Sequence, residues 1–220
     1  MPSIKNIIPG IIALFLSYAA QAQSLKAVQQ IEGIPPKVAY RAIAHDGSGN
    51  LYVATSVDVF MIPSNNNRAQ PMSVGDQIMD VDWSPDYGLI LLSKDGSIRF
   101  TATGKVLTVD AGTGATCMDV TKTMIWVGTN NGVSTVSIPQ EKVVKQYTTA
   151  DGILASNEIT FIHTDPSGIR WIGSRAGVVR IDGKKWKLYE KEQAITGITS
   201  TAEGAWMAAD SNMWLVDAYN

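Results

Sequence analysis

The chain has 220 residues, 45% hydrophobic and 17% charged, with a formal net charge of −2. That length and composition suit a folded core and exclude a chain disordered throughout. The charge gives no basic face for nucleic acid. One cysteine and two histidines exclude a disulfide framework, a cysteine-built zinc site and a histidine-rich metal centre.

The first segment reads as a secretory signal peptide over residues 1–22. Lys5 gives a short charged start, Ile7 to Leu16 is almost continuously apolar, and Ala20-Gln21-Ala22 is a small-x-small cleavage signature. The apolar run is short for a transmembrane helix of about 20 residues. The expected mature chain, 23–220, is therefore exported, periplasmic or secreted, without membrane insertion.

Beyond it the sequence repeats. Central strands are expected at Leu51–Thr55, Leu89–Ser93, Ile125–Thr129, Arg170–Ser174 and Ala205–Ala209. They are centred on Tyr52, Ile90, Trp126, Trp171 and Trp206, every 35 to 45 residues. A second apolar column precedes them, read as Ile43, Val81, Val120, Ile162 and Ile198. Asp80 and Asp119 then fall in one column. Turn sequences such as Asp46-Gly47-Ser48-Gly49-Asn50 and Asp165-Pro166-Ser167-Gly168 separate the columns. Third strands follow at Gly132–Val136 and Val178–Ile181, and fourth strands at Val143–Tyr147 and Lys185–Tyr189.

Each unit of about 40 residues is thus a four-stranded antiparallel meander, the blade of a β-propeller. Five units predict an all-β, five-bladed β-propeller forming a single domain, 23–220. The fifth unit ends after its third strand. The segment Leu25–Gly33 resembles the fourth strand and exit loop of the third unit, so the N-terminal strand is expected to complete the last blade. The alternative is an open arc of blades that closes by oligomerising.

The fourth unit carries Asp165-Pro166-Ser167-Gly168-Ile169-Arg170-Trp171-Ile172-Gly173-Ser174, followed by Gly177-Val178-Val179-Arg180. It resembles the two-component regulator propeller repeat, with its Asp-x-x-Gly-x-x-Trp-Ile-Gly-Thr and Gly-Leu-x-Arg pattern. Ile125 to Val133 is a weaker copy. The resemblance implies a propeller of the periplasmic sensor kind, found mostly in Bacteroidetes, where many such sensors respond to polysaccharide fragments. Those sensors usually have more repeats, an immunoglobulin-like domain, a membrane helix and a kinase. The matched residues are turn and core positions, not ligand contacts.

Candidate binding residues come from the inner strands and loops. Arg41, Asp80, Asp82, Asp119 and His163 are expected near the channel; carboxylates there suit a cation or sugar hydroxyls, or else bind backbone of the next blade. Arg175, on a hairpin tip, and Arg41 suit an anionic group. Trp83, beside a turn, is the best aromatic for stacking a ring or anchoring a partner. No nucleophile motif, phosphate loop or dinucleotide fingerprint is present, so no catalytic residue, cofactor or metal is assigned. The expected function is a non-catalytic, monomeric propeller that binds an envelope protein or an oligosaccharide through dissimilar loops. The alternatives are a propeller lyase or glycoside hydrolase using Asp80, Asp82 and Asp119, and a truncated sensor remnant.

Overall fold

The computed structural model describes residues 31–75, 77–110, 114–190, 194–201, 204–209 and 212–217. Two compact units divide the chain, Met1–Glu32 and Gly33–Asn220, and the blades belong to the second. The expected signal peptide, and all but the end of the segment assigned to complete the last blade, lie outside the described residues.

Blade 1 is β1 (Tyr40–His45), β2 (Leu51–Thr55), β3 (Val59–Ile62) and β4 (Gln70–Pro71). Blade 2 is β5 (Ile78–Ser84), β6 (Gly88–Ser93), β7 (Ser97–Phe100) and β8 (Val106–Thr108). Blade 3 is β9 (Ala115–Val120), β10 (Met124–Thr129), β11 (Gly132–Ser137) and β12 (Lys142–Tyr147). Blade 4 is β13 (Ile159–Thr164), β14 (Arg170–Ser174), β15 (Gly177–Asp182) and β16 (Lys185–Glu190). Blade 5 has three described strands, β17 (Gly197–Thr201), β18 (Gly204–Ala209) and β19 (Asn212–Asp217). Each sheet pairs its strands in chain order, all antiparallel, and the arrangement is a five-bladed propeller.

The turns follow from local chemistry. Asp46 accepts from the backbone N–H groups of Ser48 at 2.8 Å and Asn50 at 3.0 Å. Asp165 does the same for Ser167 at 2.8 Å and Ile169 at 3.0 Å. Each carboxylate folds the chain back on itself, and Gly49 (φ 87°) and Gly168 (φ 89°) take the left-handed conformation that such a turn needs.

The core lies between blades. The outward face of each of blades 1 to 4 packs its central-strand residue on an inner-strand apolar residue of the next blade. Tyr52 meets the Val81 cluster, Ile90 the Met118 cluster, Trp126 the Ile162 cluster and Trp171 the Ile198 cluster. Strand register corrects one expected column. Val81, Ile162 and Ile198 pair with Leu91, Ile172 and Met207, each one residue past the centre. In blade 3 the residue paired one past the centre is Met118, opposite Val127, whereas Val120 pairs with Ile125. The cause is a shorter turn, closed by the Thr121 N–H on the Met124 carbonyl, which brings the inner strand nearer to Trp126 in sequence. The same shift separates the two aspartates. Asp119 shares its column with Asp82 and His163, each opposite a central residue, while Asp80 lies two residues away.

Candidate functional site

The inner strands β1, β5, β9 and β13 enclose a cavity of about 680 Å³, within the range of small-molecule sites. Arg41, Asp80, Asp82, Asp119 and His163 all line it, so the structure brings these five together. Trp83 and Arg175 are elsewhere. Trp83 stacks on Tyr52, ring centroids 5.7 Å apart and 9° from parallel, in the seam between blades 1 and 2. Arg175 is an exposed hairpin residue paired with Glu158.

The cavity side chains stitch each blade to its successor. The Asp80 carboxylate accepts from its neighbour Val81 N–H at 2.8 Å and, across the seam, from Met118 N–H at 2.6 Å. Asp82 accepts from Trp83 N–H at 2.7 Å and, in blade 3, from Val120 N–H at 3.0 Å. Asp119 reaches blade 4, where Thr164 donates its N–H at 2.9 Å and its hydroxyl at 2.6 Å. Arg170 completes that cluster with Nε 3.4 Å from Asp119 and its guanidinium 4.2 Å over the Trp126 ring. His163 Nε2 lies 3.0 Å from Ser200 Oγ of blade 5.

A second set of stitches comes from β-bulges, which aim an extra residue out of register. Inner strands of blades 1 to 4 each carry one, at Arg41, Met79, Thr116 and Thr160. Arg41 Nη1 donates to the Ile78 carbonyl at 2.7 Å, and the Thr116 hydroxyl to the Ile159 carbonyl at 2.8 Å. The Thr160 hydroxyl donates to the Ile195 carbonyl. Thr116 and Thr160 were not legible as site residues. A bulge leaves no mark in a repeat column; the available signal is a threonine placed one residue after Ala115 and after Ile159, at the start of two inner strands.

Burial pushes the Asp80 carboxyl up to about 7, against the lowering effect of the Met118 and Val81 N–H groups. Burial likewise raises Asp82 to about 6, again opposed by its two N–H donors. The Cys117 thiol, also on the cavity wall, is pushed up to about 12 by burial and is an inert thiol at neutral pH. Among the described residues no group of three or more His, Cys, Asp or Glu side chains is arranged to hold a metal ion. No helix among them is long and apolar enough to cross a membrane. The chemistry on offer is hydrogen bonding from a polar wall, with both oxygens of each aspartate already engaged.

The sequence matches no family profile and no curated protein. Solved structures do resemble the fold. The extracellular domain of a one component system from B. thetaiotaomicron aligns with a TM-score of 0.68 and 15% identity, over 81% of this chain and 27% of that one. The extracellular domain of a hybrid two component system from the same organism aligns with a TM-score of 0.67 and 15% identity, over 89% of this chain and 29% of that one. Virginiamycin B lyase from Staphylococcus aureus aligns with a TM-score of 0.61 and 15% identity, over 77% of this chain and 62% of that one. The chain therefore spans under a third of the length of the two extracellular domains, and the likeness is one of fold.

Proposed function

We propose that this chain is an exported, non-catalytic binding propeller that presents its dissimilar loops to a protein of the cell envelope. The observation that carries the reading is the engagement of the channel aspartates. Asp80, Asp82 and Asp119 direct their oxygens to backbone and side-chain donors of their own and the next blade. Such carboxylates fix blade geometry, which leaves the loops as the variable surface. The connections differ from blade to blade. The one between blades 3 and 4 holds a single 3-10 turn, Thr149–Asp151, stopped by Gly152 at φ 71°. The leader pattern of residues 1–22 and the extracellular neighbours support export.

Glycan binding and lyase or hydrolase activity are the competing readings, the last prompted by the fold of virginiamycin B lyase. Thermal shift against a panel of oligosaccharides and divalent cations separates them. A ligand at 100 times its dissociation constant adds about 2.7 kcal/mol of stability. The protein-partner reading expects no shift, with capture of one stoichiometric envelope protein that is lost when the Asn130-Asn131 tip is replaced by two glycines. A clear shift with one glycan, abolished by Asp82→Asn, would overturn it.

A further inference from the structure

We infer that the two end blades form a head-to-tail interface between copies of this chain: the outward face of blade 5 docks on the inward face of blade 1 of a second copy. The surface is read from the four seams inside the molecule. In each, a central-strand residue of one blade packs with an inner-strand apolar residue of the next; Tyr52 of the first seam is part-buried against Val81, and in the other three both residues are covered. Ile90, Trp126 and Trp171 are 0%, 9% and 1% exposed, and their partners Met118, Ile162 and Ile198 are 5%, 4% and 7% exposed. The fifth pair by register is Trp206 with Ile43. Here Trp206 is 37% exposed and Ile43 is 65% exposed. They do not bury one another.

Their surroundings are apolar as well. Met213 and Leu215 flank Trp206 on the same face of blade 5, and both are exposed. Tyr40 is exposed beside Ile43 on blade 1. Each face holds a shallow depression: about 200 Å³ over Trp206, Met207 and Met213, and about 290 Å³ between Tyr40, Ile43 and Val53. The outer part of the blade 1 face is already covered, with Ile34 packed against Val53, Phe60 and Ile62. What stays open is its inner half, the part that meets the preceding blade elsewhere in the ring.

One end of the molecule thus carries the tryptophan half of the repeated seam, and the other carries its receiving half. Clustered, exposed apolar groups of this kind mark association surfaces. A second copy offers each half the chemistry that the four internal seams already use. The two faces differ, so the contact is heterologous, and two copies satisfy both ends if they pair reciprocally. Under this inference the chain is a dimer rather than the monomer expected from the sequence.

Sedimentation velocity on the purified chain from about 1 to 100 µM tests the interface. The expected result is a concentration-dependent dimer. Trp206→Asp and Ile43→Asp should each weaken association by about 100-fold or more, as loss of a central apolar anchor does. An equimolar mixture of the two variants should associate again. The first supplies an intact blade 1 face and the second an intact blade 5 face. Met213→Glu and Tyr40→Glu repeat the design at residues 68% and 67% exposed, where folding is not at stake. A wild-type chain that stays monomeric at the top concentration would overturn the inference. So would association lost in Trp206→Asp alone, or variants that fail to complement.

Discussion

Trp171 and Trp206 hold the same place in successive blades, each at the centre of its sheet and on the face turned to the next blade. Trp171 is sealed among Ile195, Ile198, Ala205 and Met207 of blade 5. Trp206 belongs to no such cluster among the described residues and is 37% exposed. The local sequences are alike, so the difference lies wholly in the neighbour. In a repeat fold a blade face becomes core only when a further blade arrives, and stability accumulates seam by seam.

The widest contrast follows directly. Trp171→Ala should lower the unfolding free energy by about 4 kcal/mol, since a buried aromatic is replaced by a cavity. Trp206→Ala should cost the monomer only about 2 kcal/mol, because over a third of its area is already in water. Urea denaturation of both at low protein concentration checks the ratio; equal losses would mean that Trp206 is covered in solution.

The next effect concerns the polar stitches. Asp119→Ala removes the acceptor of two Thr164 bonds and leaves the largely buried Arg170 guanidinium unpaired. A loss of about 3 kcal/mol is expected. His163→Ala removes one bond to Ser200 and should cost about 1 kcal/mol. Comparable losses from the two would show that the seam between blades 3 and 4 is no firmer than the seam after it.

A packing test sits at that same seam. A Cβ on Gly128 would lie 2.5 Å from Cys117 Sγ and 2.6 Å from Ile159 Cγ2. Gly128→Ala should therefore cost about 2 kcal/mol by overpacking. Gly197 on blade 5, two residues after Ile195, has nothing within 4 Å of its would-be Cβ. Gly197→Ala should be close to neutral in the same assay.

The last effect is a pH slope. The folded Asp80 value of about 7 lies above the unfolded value of about 3.9, so the native state holds that proton more tightly. Stability from this group is fully present below about pH 4, falls as pH rises towards 7, and levels off above it. Asp82, raised to about 6, adds a slope of the same sign that ends earlier. Asp80→Asn should flatten the decline in melting temperature between about pH 4 and 7. An unchanged slope would show that the group titrates normally.

Much of the architecture was legible in the chain. The central strands were expected at Leu51–Thr55 and Arg170–Ser174 and are found there. The fourth strands at 143–147 and 185–189 differ from the observed ones by one residue each. The short outer strands Gln70–Pro71 and Val106–Thr108 were not read, because two or three residues show no alternation. The expected column through Val120 failed where a shortened turn changed the spacing, and with it failed the pairing of Asp80 with Asp119. Five of seven candidate residues do meet at the cavity, yet their partners were invisible. Asp80 accepts from a backbone N–H 38 residues away, and Asp119 from one 45 residues away.

The sequence by itself determined the blade: its four-strand period, its aspartate-closed turns and the large residue at its centre, all set by contacts within a few residues. Only the tertiary structure decided which faces are covered and which carboxylates are engaged. Those outcomes depend on the next blade, whose approach is fixed by packing across the seam and leaves no local pattern in the chain.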